Sequence, residues 1–307
     1  MPLTLSAFWK FTRPHTLYGT AISLLGVYLL FCAETGSNFV QGLTALLVAE
    51  GSCLCANVYI VGLNQLTDVA IDRINKPYLP VASGEITERT GAVLVSVLLA
   101  VALVVAGWAN RFLLATVAMS ALIGTAYSLP PLRLKRFALF ASLCIFSVRG
   151  LIVNLGIWCY LLEWTGRPIV LAPSILILSL FVTLFTFVIA IFKDIPDTEG
   201  DSRYLISTFS VQLGRRFIFN LSSLLLVGNY LLAVLLAAFV LKPAGLFFLG
   251  TAHAVLAAFF LYRRRQVNLK DNQAVADLYQ FIWKLFYLAY LIFPLAWWLG
   301  HSVGFPA

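Results

Sequence analysis

Residues 40–77 read VQGLTALLVAEGSCLCANVYIVGLNQLTDVAIDRINKP. From 40 to 66 a single charge, Glu50, interrupts an apolar run long enough to cross a bilayer as a helix. The polar tail that follows sets Asn64, Asp68 and Asp72 four apart, so a helix continuing past the membrane stacks them on one face. Asn57 and Glu50 extend the stripe deeper at seven-residue steps, and Pro77 stops the helix. The unit is an apolar rod that delivers carboxylates to a membrane surface.

Eight further apolar runs, at 15–33, 89–108, 112–129, 138–162, 169–192, 217–241, 244–262 and 278–300, each span a bilayer as a helix. With 40–66 they make an all-α polytopic membrane protein of nine spans, and the loops left over are too short for a second globular unit, so residues 1–307 read as one domain. Composition agrees: 61% of the 307 residues are hydrophobic and 11% charged, against about 25% charged in soluble domains.

The net charge of +8 comes from 21 Lys and Arg against 13 Asp and Glu. These cations are spread through short loops between spans, which reads as topology and excludes a nucleic-acid partner. Sixteen fall on one side, from Lys10 and Arg13 through Arg133, Lys135 and Arg136 to Arg263–Arg265 and Lys270, whereas the other side has only Arg111, Arg167 and Lys242. The positive-inside rule then puts the amino terminus and the long loops in the cytoplasm. The five cysteines lie in apolar stretches without a CxxC pair and read as buried thiols. The residues before the first run lack the composition of a transit peptide, so the chain reads as a mature or bacterial form. No protein partner is implied.

Eight of the 13 acidic residues lie in two loops on the basic side: Asp68, Asp72, Glu85 and Glu88, then Asp194, Asp197, Glu199 and Asp201. In KDIPDTEGD (193–201), Asp194, Asp197 and Asp201 share a helical face, with Pro196 allowing a kink. Spans two and six run in the same direction and bring their acidic ends to one membrane face. Carboxylates gathered there repel one another unless a cation neutralises them. Magnesium fits, because it binds a few carboxylates together with phosphate oxygens and needs no His or Cys. Arg73, Lys76, Lys193 and Arg203 in the same loops, and Arg133 and Lys135 nearby, can clamp the remaining phosphate charge. A diphosphate at the mouth of an apolar bundle implies a lipid tail inside it, and hence an isoprenoid diphosphate. A secondary transporter is the competing class, but its ionisable groups belong near the bilayer midplane on broken helices.

The strings NQLTDVAIDRINKPYLPVASGE (64–85), YSLPPLRLKR (127–136) and KDIPDTEGD with the following TFSVQLGRR (208–216) resemble the UbiA superfamily of intramembrane prenyltransferases. Within it the likeness is greatest to the homogentisate prenyltransferases, from Asn64-Gln65, Asn75-Lys76-Pro77 and VRGLIVNLG (148–156). The resemblance implies nine helices around a central cavity. It implies transfer of a prenyl chain, phytyl being the expected one, to homogentisate with loss of its carboxylate, in tocopherol biosynthesis and in a photosynthetic bacterial membrane. Asp68, Asp72, Asp197 and Asp201 match the family's magnesium-diphosphate aspartates, flanked by Asn64 and Asp194. Gln65 stands where the wider superfamily has Asp, which removes one carboxylate from the first edge. Geranylgeranyl or solanesyl diphosphate as donor, or chlorophyllide as acceptor, are the alternatives within the superfamily.

Transfer leaves an allylic carbon positive, and Tyr59, Tyr127, Phe187 and Phe192 are candidates to face it, Tyr127 above all because it opens its motif. Arg149, an arginine inside a span, is expected to meet the acceptor's carboxylate, with Asn154 as a second polar partner. His15, His253 and His301 carry no partner pattern and read as structural or solvated.

Overall fold

The computed structural model describes residues 4–203 and 207–300, apart from the side chains of 199–203. Among the described residues nine helices are long and apolar enough to cross a membrane. They are α1 (Pro14–Thr35), α2 (Leu43–Thr67), α3 (Glu88–Ala109), α4 (Arg111–Ser128), α5 (Ala138–Trp164), α6 (Pro173–Phe192), α7 (Arg215–Ala237), α8 (Pro243–Arg265) and α9 (Asn272–Gly300). Their ends follow local chemistry. Pro14, Pro173 and Pro243 open helices at the first position, where the missing N–H is not needed. The Asn110 side chain caps α4 by accepting from the N–H groups of Phe112 and Leu113, both at 3.0 Å. Gly36, at φ 65°, ends α1 in the left-handed conformation that glycine adopts without strain.

Each helix packs on the next in sequence, and α9 closes the ring on α1. The lipid side is legible on α3, where Val93, Val97, Val101, Val104 and Trp108 form one exposed stripe. The half of the bundle away from the acidic loops is filled by large rings, with Phe31 against Trp158 at 5.6 Å and Tyr160 donating to the Ala45 carbonyl at 2.9 Å. The other half is hollow and holds a cavity of about 1090 Å³.

Three interruptions of regular helix shape the site, the first a departure from the sequence expectation and the second the break expected near Pro196. First, the helix through Asn64 and Asp72 is not continuous: it breaks at Asp68 (φ −117°, ψ 16°) and restarts as a short helix, Val69–Asn75. Second, α6 ends at Phe192 and a new helix, Asp194–Arg203, begins after one residue. The break precedes Pro196, which cannot donate to the Phe192 carbonyl four residues back. Third, the middle of α5 is a π-helical stretch, Ser147–Ile152, which carries Arg149. Such bulges in membrane helices are often found at functional sites.

Candidate functional site

The two short acidic helices, Val69–Asn75 and Asp194–Arg203, pack on each other over the cavity opening. Lys76 and Asp197 form an ion pair that joins them. The described aspartates of the two rims, Asp68, Asp72, Asp194 and Asp197, therefore lie at one mouth, each met by a cation. Asp68 takes Lys135 at 2.6 Å and Arg133 at 3.3 Å. Asp194 takes Lys193 at 3.0 Å, and Arg13 stands 3.7 Å from Asp72. Asn64 donates to Asp68 at 3.0 Å, preserving the Asn64–Asp68 part of the stripe through the break.

Arg13 had no assigned role in the sequence. It shares with Arg133 a feature unusual outside glycine: both sit at positive φ, 49° and 38°. A left-handed arginine is strained by about 1–3 kcal/mol, and the two strained arginines are the ones that meet Asp72 and Asp68.

Electrostatics at the mouth follow from burial. Burial pushes the Asp72 carboxyl up to about 6, partly opposed by Arg13 and Lys76. Burial pulls Lys135 down, against the attraction of Asp68. Burial also works against the charge of Lys76, but Asp197 and Asp72 outweigh it and the ammonium is held above its ordinary range.

Of the residues expected at the site, Asn64, Asp68, Asp72, Lys76, Tyr127, Lys135, Arg149, Lys193, Asp194 and Asp197 line the cavity. Arg133 reaches Asp68 and the Thr67 carbonyl from behind the wall. Arg73 is exposed and is not part of the lining. Asp201 and Arg203 lie outside the described side chains. Asn154 is fully buried: its amide donates to the carbonyls of Gly150 (2.9 Å) and Arg149 (3.3 Å), and it accepts from Tyr290 at 2.8 Å. It braces the π-helical stretch against α9 instead of facing the cavity. Glu50 is likewise absent from the lining: it lies almost a full turn beyond Cys53, the deepest α2 residue of the lining.

The aromatic wall also comes from a different place. Tyr59 bonds Thr125 at 2.6 Å, Phe187 packs on Phe146, and Phe192 is buried in the core. Tyr127 does line the cavity, and Lys193 donates to its hydroxyl at 3.4 Å. Trp9, Tyr18 and Tyr78 line the cavity too, and α9 adds Tyr279, Trp283 and Tyr287, which stand four apart on one face. That spacing was readable in the sequence. Arg149 lies over Trp283, its guanidinium carbon 5.0 Å from the ring centroid, and makes no ion pair among the described residues. His15 lines the cavity as well.

The donor set at the mouth suits a hard cation: carboxylates with no thiol or imidazole beside them. Among the described residues no three Asp, Glu, His or Cys side chains are grouped closely enough to hold an ion unaided. Magnesium does not require that, because it keeps waters and shares phosphate oxygens. One Asp72 carboxylate oxygen is buried without a hydrogen-bond partner, which leaves a lone pair to offer.

A closed ring of membrane helices, hollow at one end and rimmed there by paired carboxylates and cations, defines a polytopic membrane protein with an internal site for an amphiphile. The chain belongs to the UbiA prenyltransferase family, whose profile matches residues 20–285. It is 45% identical to a homogentisate phytyltransferase of Synechocystis sp. over 97% of both chains. It is 39% identical to homogentisate phytyltransferase 1 of Arabidopsis thaliana, over 95% of this chain and 75% of that one. In fold it is similar to a UbiA homolog from Archaeoglobus fulgidus bound to GPP and Mg2+, with a TM-score of 0.63 at 16% identity, covering 95% of this chain and 99% of the other.

Proposed function

We propose that the protein transfers a phytyl group from its diphosphate to homogentisate, with decarboxylation, as a step of tocopherol biosynthesis. The whole chain, 1–307, acts as one domain in a photosynthetic bacterial membrane, with its mouth and amino terminus toward the cytoplasm. The observation that carries this reading is the meeting of the two acidic helices over an apolar cavity, in a chain nearly half identical to a homogentisate phytyltransferase.

Asp68, Asp72 and Asp197, with Asp201 from the second motif, are the proposed magnesium ligands. When bound, Mg2+ supplies positive charge to the departing diphosphate. The chain's own residues do the rest. Lys76, Lys135, Lys193 and Arg133 are already at the mouth, and they hold the phosphate oxygens by exchanging carboxylate partners for phosphate. The apolar walls take the tail and exclude water from the allylic carbon. Tyr127, beside Lys193, presents its ring where positive charge develops. Arg149, held by Trp283 and without a carboxylate partner among the described residues, receives the carboxylate of homogentisate.

Incubation of membranes containing the protein with homogentisate and a panel of phytyl, geranylgeranyl and solanesyl diphosphates, with and without Mg2+, tests the reading. The expected result is a prenylated, decarboxylated quinol from phytyl diphosphate that disappears on chelation. Preference for another donor, or for chlorophyllide as acceptor, would reassign the substrate within the family. Solute uptake with no product would point to transport.

A further inference from the structure

The protein has two described histidines with opposite surroundings. His253, on α8, is sealed against α6, α7 and α9, stacked on Phe181 at 5.3 Å and bonded to the Tyr230 carbonyl. His15 opens onto the cavity. Its position is fixed by contacts that leave its ring nitrogens unused: the ring stands edge-on to Trp283 (5.4 Å) and Tyr279 (6.4 Å), and its backbone carbonyl accepts from Tyr287 at 2.5 Å. Neither ring nitrogen is hydrogen-bonded to another described residue.

One turn further along α1 lies Gly19, where a Cβ atom would stand 2.7 Å from Trp283 and 3.2 Å from the Arg149 guanidinium. His15 and Gly19 share a helical face, so the imidazole and the guanidinium border the same corner of the cavity, both against Trp283. Arg13, Arg149 and Lys76 are the charged groups that act on His15; none of them accepts a proton, and as cations they make the imidazole hold one only briefly and give it back readily. The carboxylates of the cavity, Asp68, Asp72, Asp194 and Asp197, are engaged with cations at the mouth.

We propose that His15 carries the proton in the aromatic half of the reaction. This rests on the function proposed above. Alkylation forms a carbon–carbon bond with a ring electron pair, while the allylic C–O bond breaks and diphosphate leaves with its electrons. The alkylated ring carbon then gives its proton to the imidazole, and the freed pair restores aromaticity. Loss of carbon dioxide leaves a pair on the side-chain carbon, which takes that proton back. One proton is lost and one gained, no oxidant or reductant is needed, and His15 ends neutral. Arg149 anchors the carboxylate and His15 serves the ring beside it.

The test is His15→Ala and His15→Gln in membranes carrying the full chain, with three readouts: turnover, binding of labelled phytyl diphosphate, and the isotope effect from ring-deuterated homogentisate. Expected are a loss of turnover of about 10²–10⁴-fold, unchanged diphosphate binding, and a primary isotope effect in the variants that the wild type lacks. Added imidazole restores part of the rate in His15→Ala. Turnover in both variants within a few-fold of wild type overturns the proton role. So does a large loss with neither imidazole rescue nor an isotope effect, which marks a purely structural side chain. If His15→Ala fails to bind diphosphate, the isotope effect in His15→Gln decides. A wild type that prenylates no homogentisate overturns the function itself, and the proton role with it.

Discussion

Replacing Gly19 by alanine adds one methyl group at the corner shared by Arg149, Trp283 and His15. Its Cβ would stand 2.7 Å from a Trp283 ring carbon and 3.2 Å from an Arg149 nitrogen, whereas relaxed contacts need about 3.5–4.0 Å. The ring must therefore retreat by about 1 Å. Trp283 is only 3% exposed and is backed by Phe286 at 5.5 Å and Tyr287 at 5.9 Å, so it moves either by displacing them or by swinging into the cavity it lines. Overpacking of this kind costs about 1–3 kcal/mol, and the helix-propensity gain of alanine over glycine, about 1 kcal/mol, offsets part of it. Stability thus changes little. Activity changes more, because a displacement of about 1 Å at a substrate-positioning group can cost on the order of 10²-fold. Gly19→Ala should therefore lower kcat/KM for homogentisate by about that factor while binding of phytyl diphosphate is retained. Gly51→Ala is the control: nothing lies within 4 Å of its added Cβ, so it should be as active as wild type and no less stable. Steady-state kinetics in proteoliposomes, with the two substrates varied separately, provide the assay. A Gly19→Ala protein with wild-type homogentisate kinetics would refute the placement of the acceptor beside Arg149.

Asp68→Ala should abolish turnover and also destabilise the fold by about 3–5 kcal/mol, because it strips the partner from Lys135, whose side chain is 5% exposed. Adding Lys135→Met should recover much of the thermal stability and none of the activity; recovery of both would reduce Asp68 to a structural counter-ion. Lys76→Gln should raise the diphosphate concentration needed for half-maximal rate and leave homogentisate half-saturation unchanged, and a shift in the latter alone would move Lys76 out of the diphosphate site. The Asp72 carboxyl is raised by burial from its ordinary 3.8 to about 6. Its protonated form accumulates as pH falls through 6, so magnesium-supported turnover should fall there. For stability the same burial is a cost of the charged form: it is absent below about pH 4, where the carboxyl is protonated folded or unfolded, and is fully felt once pH has risen through about 6. Activity should therefore decline near pH 6 before unfolding begins, as rate and thermal-melt profiles on one buffer series will show; simultaneous loss of both would assign the decline to unfolding.

The nine spans were legible because apolar length and flanking charge are local properties. The boundaries that moved were those set by packing. α9 begins at Asn272 and not at 278, since Val275 and Leu278 in its polar first turns are buried against neighbours. The acidic rims were readable from spacing, because period and direction suffice to bring Asp68 and Asp197 to one face. The cavity wall was not. A helix that is apolar all round carries no pattern to say which side faces inward, so Tyr59, Phe187 and Phe192 were indistinguishable from Tyr279, Trp283 and Tyr287 except by the four-residue spacing of the latter. Asn154 was misread for a different reason. Five residues separate it from Arg149, and in the π-helical stretch that interval brings its amide under the Arg149 carbonyl, a local geometry that residue identities do not disclose.

The bundle is empty over only part of its height, and this bears on how it lives in an energised membrane. Cys53, deep in the lining, lies 14 residues from Thr67 along α2, about 21 Å at 1.5 Å per residue. Beyond it Tyr28, Phe31, Trp158 and Tyr160, all fully buried, form a stopper. The architecture is a cup and not a tube. Water and ions can enter it from one compartment without a route to the other, so a large hollow can sit in a membrane without dissipating the gradient across it. Widening the floor to take a longer tail would thin that seal, which sets a limit on reshaping the cup by shaving its deepest rings.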